Sequence, residues 1–281
     1  MKLLPVDRVI LAYLIVVSMV ALVRLSSIPE ARWVLLANGL VVGLIWLVRR
    51  PGLGPLGSAL GDLYPICILL SLYGALDLLA GHGTLTTHDP LVQRWEGELF
   101  GGQVARDWWR ESPSRFWSTA LHGAYLSYYL VVPAAPLWFF CAGDRARLQR
   151  VVLALMTVLL TCYLVFIFFP VAGPYYEFER PSGAFLDNGA ARLAYAILSG
   201  GSSYGAAFPS SHVAAALTAA GVTMLDAPKV GLLLLIPGLL MTVGVVYCQM
   251  HYGVDVVAGV LLAGASVAIV RRYSHQPSTD E

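Results

Sequence analysis

Long apolar runs separated by short polar clusters dominate this chain. Eight runs, at about 9–23, 33–48, 59–80, 116–140, 151–169, 207–225, 230–248 and 251–270, approach the ~20 apolar residues a helix needs to cross the hydrocarbon of a bilayer. The pattern predicts an all-α polytopic membrane helix bundle of about eight transmembrane helices. The first two runs are short and are expected to tilt or to pair as a hairpin over residues 1–58. The first reads as a membrane helix rather than a cleavable leader: no small-x-small site follows it, and Arg24 stands where cleavage would fall.

Two connecting segments are long. The first, 81–115, carries a mixed-charge stretch and then Trp108 and Trp109, which suits a helix lying in the membrane interface at about 88–112. The second, 170–206, is rich in Gly, Pro, Ser and Tyr, and long loops inside compact domains are commonly functional. The segment 274–281 reads as a disordered tail.

Composition makes lipid the solvent. Of 281 residues, 58% are hydrophobic and only 12% charged, about half the charged share of a soluble domain. The net charge of +1 gives no electrostatic case for a nucleic-acid partner. Cys67, Cys141, Cys162 and Cys248 are scattered through apolar sequence without metal-ligand spacing. The tight clusters Arg49-Arg50, Arg145 to Arg150 and Arg271-Arg272 fall on one side of an even-span topology. By the positive-inside rule both termini are expected in the cytoplasm and both long loops outside.

Ionisable groups at membrane depth are expensive, so each is a functional candidate. In His251-Tyr-Gly-Val-Asp255 the i, i+4 spacing lets Asp255 accept one ring N–H and leave the other nitrogen free. In Phe208-Pro-Ser-Ser-His212, Pro209 suits the first position of a helix, whose free amides make an anion site around Ser210 and Ser211. Arg180-Pro181 offers a guanidinium suited to phosphate. Each feature alone also has a plain reading: a satisfied polar pair, a capped helix start, a solvated arginine. The predicted topology brings all three to the same membrane face. His212 and His251 are then expected to face each other across a gap of about one phosphate, at the extracytoplasmic rim.

These residues resemble the type 2 phosphatidic acid phosphatase superfamily, with its Lys-x6-Arg-Pro, Pro-Ser-Gly-His and Ser-Arg-x5-His-x3-Asp motifs. Arg180-Pro181, Pro209-Ser210-Ser211-His212 and His251 with Asp255 occupy those places in order. Gly173 stands where the first-motif lysine belongs, and Gly244-Val245 where the third-motif Ser-Arg belongs. The pattern is similar to the branch of inositol phosphorylceramide synthases and related lipid phosphotransferases, including the 89–101 stretch before the core.

The resemblance implies a six-helix phosphatase-type core over about 59–273, added to the two N-terminal helices. It implies a phosphohistidine mechanism without metal or cofactor. His251 is the nucleophile, Asp255 its orienting partner and His212 the general acid. Arg180, Ser210 and Ser211 hold the phosphate, and Tyr175, Tyr176, Tyr247 and Gln249 are candidate neutral donors. The expected substrate is a phospholipid or other lipid phosphate, with a lipid alcohol as acceptor for a transferase or water for a hydrolase. Two other classes stay open: a transporter, for which midplane sites at broken helices would be expected, and a haem or metal site on His212 and His251.

Overall fold

The computed structural model describes residues 2–81 and 85–274. Within them the chain is helical, and the isolated bridge Val171–Ala206 is the only extended pairing. In order come α1 (Pro5–Arg24), α2 (Ala31–Val48), α3 (Gly54–Cys67), α4 (Leu69–Ala80), α5 (Asp89–Phe100), α6 (Val104–Glu111), α7 (Arg115–Leu126) and α8 (Tyr128–Cys141). Then follow α9 (Arg145–Phe168), the single turn α10 (Pro174–Glu177), α11 (Gly189–Gly201), α12 (Ser211–Asp226), α13 (Pro228–Tyr247) and α14 (Gly253–Ser274). Residues 275–281, His275 among them, and His82 lie outside the described residues.

Seven helical stretches among the described residues are long and apolar enough to cross a bilayer: Pro5–Arg24, Ala31–Val48, Gly54–Ala80, Arg115–Cys141, Arg145–Phe168, Pro228–Tyr247 and Gly253–Arg272. Two are bent. α3 carries Pro65, which has no N–H for the ladder, and gives way to α4 at Ile68. α7 gives way to α8 at Ser127, whose hydroxyl turns back to donate to the Ala124 carbonyl. The eighth expected span is α12, which at 16 residues is only about 24 Å long. It is short because the Gly- and Ser-rich approach stays non-helical until Ser210. α12 is enclosed by α8, α9, α13 and α14. Its Ala214, Ala215, Ala216, Ala219 and Ala220 are fully buried, so protein rather than lipid surrounds it.

Close approach through small residues holds this centre together, as is usual where no hydrophobic drive separates helix from lipid. A Cβ on Gly231 would meet the Met224 backbone at 2.4 Å, one on Gly221 Val267 at 2.6 Å, and one on Gly259 the Ser210 carbonyl at 2.7 Å.

The bundle has two chemically distinct ends. At one, Asp7 pairs with Arg49 and Tyr64, Asp62 with Arg145, and Asp226 with Arg147 and Arg150. These contacts join the starts of α1 and α9 and the second half of α3 to the ends of α2 and α12. His212, at the opposite terminus of α12, belongs to the other end. α1 and α2 pack together and against α9 and α4. Arg24 donates to the carbonyls of Leu79 and Ile167, at the ends of α4 and α9.

Candidate functional site

Three segments converge at the histidine end. The first is the start of α12. Ser210 is its N-cap and its hydroxyl accepts the Val213 N–H. Pro209 therefore precedes the cap rather than occupying the first helical position expected for it. Pro209 is joined to Phe208 by a cis bond. Among the described residues the amides of Ser211 and His212 have no hydrogen-bond partner, so the helix terminus keeps free donors.

The second segment is the turn from α13 into α14. Asp255, fully buried, accepts the Tyr252 N–H on Oδ2 at 2.8 Å, and that same oxygen stands 3.3 Å from His251 Nδ1. The i, i+4 pair therefore forms as its spacing predicts. His212 and His251 are neighbours, with ring centroids 5.7 Å apart and planes at 61°. They touch edge to face, a tighter arrangement than a gap of one phosphate. His212 Nδ1 and Asp255 Oδ1 are buried without a hydrogen-bond partner. Tyr125 and Tyr128 pack on the other sides of His212, at 5.2 and 4.6 Å.

The third segment is 171–180. Gly173, at φ +91°, turns the chain into α10. A Cβ there would lie 2.8 Å from the Ala207 side chain. Tyr175 is buried, and the exposed Arg180 guanidinium stacks on its ring at 4.3 Å. Tyr176 donates to the Ser202 hydroxyl at 3.0 Å. Tyr247 donates to the Ser112 carbonyl and accepts the Ser114 N–H, which ties α13 to the α6–α7 turn. Thus His212, His251, Asp255, Ser210 and Ser211 lie together. Arg180, Tyr175 and Tyr176 contact one another, Tyr195, Tyr204 and Ser202, and no contact joins them to either histidine among the described residues, while the Tyr247 hydroxyl is taken up by its neighbours.

Gln249 is more central than its sequence suggests. It holds a left-handed φ of 57°, rare for a non-glycine. Its Oε1 accepts from Trp109 Nε1 and Arg110, and its Nε2 donates to the carbonyls of Pro174 and Glu179. It thereby ties α6, the 174–179 segment and the His251 turn into one unit.

Three residues near the site were not singled out by sequence. Asp89, Gln93 and Glu96 form an i, i+4, i+7 stripe on α5 that turns inward, while Trp95, Leu99 and Phe100 are exposed. A helix with carboxylates inside and apolar groups outside is the signal that was available. His122 is fully buried one turn from Tyr125, its Nδ1 2.7 Å from the Ser118 carbonyl and 3.4 Å from Cys248 Sγ.

The model of the PAP2 superfamily matches residues 91–269, well over half of the chain and inclusive of every segment just described except the first turn of α5. The chain belongs to the PAP2 superfamily. Comparison with characterised proteins and with solved structures returned no match. PAP2 superfamily members are phosphatases and phosphotransferases, and this chain is an integral membrane protein of that superfamily. Its departures from the superfamily motifs have a steric basis. A lysine at 173 is excluded by Ala207. A Cβ at Gly244 would meet the Leu121 carbonyl at 2.8 Å, and Val245 is fully buried. Both places that the resemblance aligns with motif cations are filled by packing.

Proposed function

We propose that this PAP2 protein transfers a phosphoryl or phosphodiester group from a phospholipid through a phosphohistidine, at the extracytoplasmic leaflet. The observation that carries the reading is the contact between the His212 and His251 rings, with Asp255 on Nδ1 of His251. Asp255 holds the Nδ1 proton, which leaves Nε2 of His251 with its lone pair. That nitrogen attacks phosphorus, the N–P bond forms, and the bond to the leaving oxygen breaks. His212 gives that oxygen its proton. An acceptor hydroxyl then gives its proton back to His212, attacks phosphorus and releases His251. The Ser211 and His212 amides face the equatorial oxygens, and the Arg180 guanidinium adds the nearby positive charge. Because the rings touch, the phosphoryl group sits along their shared edge beside the α12 terminus, or the rings part to admit it.

The acceptor separates the two variants. A lipid alcohol makes the enzyme a head-group transferase, of inositol phosphotransferase type acting on sphingolipid. Water makes it a phosphatase of phosphatidate or isoprenyl phosphate. The packed positions 173 and 244–245 and the tyrosine-rich surroundings favour the transferase, since the cation pair of the simple phosphatase motif is replaced by neutral groups.

Purified enzyme incubated with a radiolabelled lipid phosphate should take up an acid-labile label that His251→Ala loses. Label retained in that variant overturns the mechanism. Inorganic phosphate as the sole product, with no new head-grouped lipid when alcohols are supplied, removes the transferase variant.

A further inference from the structure

The carboxylates of α5 reach both sides of the site. Asp89 is fully buried. Its Oδ2 accepts the Ala172 N–H at 2.8 Å, and its Oδ1 accepts the Gly173 N–H at 2.8 Å and the Tyr252 hydroxyl at 3.0 Å. Two turns on, Glu96 is also fully buried, with Oε1 accepting the Gly253 N–H and Oε2 the Val254 N–H, each at 3.0 Å. Gln93, on the same face, donates to the Tyr252 hydroxyl at 3.0 Å. One helix thus grips the turn that ends at Gly173 and the turn that presents His251.

Neither carboxylate forms an ion pair among the described residues. A buried charge without a counter-ion is expensive, so its presence needs a reason that a neutral amide would not satisfy. The bonding pattern supplies it. Each carboxylate uses both oxygens on backbone N–H groups, and only a group with no donor can do so. Asn or Gln would turn its own NH2 against one of those amides.

The location of Glu96 matters as well. Gly253 and Val254 open α14, whose terminus would otherwise be a second anion site beside His251. Glu96 takes those donors. The free amides are left at α12, on the side of His212.

We propose that Asp89 and Glu96 are positioning residues: they hold the His251 turn in register with the Gly173 turn and close the α14 terminus to phosphate, so that the anion settles at α12. This rests on the phosphohistidine reading above and deepens it.

The test uses the full-length purified enzyme and single-turnover labelling by a radiolabelled lipid phosphate, alongside steady-state kinetics and thermal unfolding. Asp89→Asn and Glu96→Gln are expected to lower kcat per folded molecule about 10- to 100-fold with KM changed less than about threefold, as expected for misplacement of a reacting group by about an ångström. The labelling rate falls by the same factor. Tyr252→Phe, which removes only the hydroxyl between Asp89 and Gln93, covers the case in which the carboxylate variants fail to fold, and is expected to lower kcat severalfold. Variants that melt earlier but keep the wild-type kcat and labelling rate reduce both carboxylates to structural ties and overturn the proposal. Label that survives His251→Ala overturns instead the reading beneath it.

Discussion

The Ser210 amide donates to the backbone carbonyl of Asp255 at 2.9 Å. One main-chain bond thus joins the cap of the helix that carries His212 to the residue that orients His251. The juxtaposition of the two imidazoles is set by backbone and by helix packing.

Asp255→Asn therefore separates chemistry from frame. The carbonyl bond to Ser210 persists, and the amide oxygen can still accept the Tyr252 N–H. The charge that favours a protonated imidazole in the transition state is gone. A fall in kcat of about 100-fold or more is expected with little change in folding, read by steady-state turnover and by circular dichroism.

Gly259→Ala acts from the opposite direction. The added methyl meets the Ser210 carbonyl and the Val213 side chain, so α14 must move off the start of α12. Loss of most activity and a lower melting temperature are expected, although residue 259 carries no side chain that could act in the chemistry. Wild-type turnover would show that the approach of these helices is not required.

Arg180 is exposed, stacked on Tyr175, and forms no ion pair among the described residues. Arg180→Ala should raise KM for the lipid phosphate about tenfold, and Arg180→Lys should recover only part of it, because a lysine loses both the stacking plane and the bidentate fork. Kinetics at fixed lipid surface concentration check this.

Burial raises the Glu96 carboxyl above its ordinary value, against backbone amides of Gly253, Val254 and Ala105 that pull it down. A group with a raised folded pKa adds stability that is complete below its unfolded value of about 4.3 and is lost as pH rises through the folded one. The melting temperature in detergent should fall as pH rises across that window. Glu96→Gln should flatten the slope.

Gly173→Lys restores the superfamily motif in sequence but not in space. The positive φ and the nearness of Ala207 make it strongly destabilising. Lower expression and a lower melting temperature, with no gain in phosphate affinity, are expected.

What sequence reveals here follows the range of each interaction. His251 with Asp255 needs only one helical turn, and the apolar runs need only counting, so both could be read directly. The sequence pattern places the start of α12 two residues too early, because Pro209 suits a helix start and equally suits the position before a cap. The ties of Asp89 to Gly173 and of Glu96 to Gly253 span 84 and 157 positions. No local pattern encodes a partner that far away, and only the inward polar stripe of α5 hinted at one. The tightening of the histidine pair to edge-to-face contact is likewise a product of packing.

Arg24 bears on how far the chain can be shortened. Its guanidinium satisfies terminal carbonyls of two helices beyond the first fifty-eight residues, groups that helix geometry leaves without internal partners. A truncation that removes only those first fifty-eight residues strips the Leu79 and Ile167 oxygens of their donor, and also removes the carboxylate of Asp7 that Tyr64 binds. The leading hairpin thus serves the remainder as a splint, and modularity suggested by a domain boundary on paper would not survive the scissors.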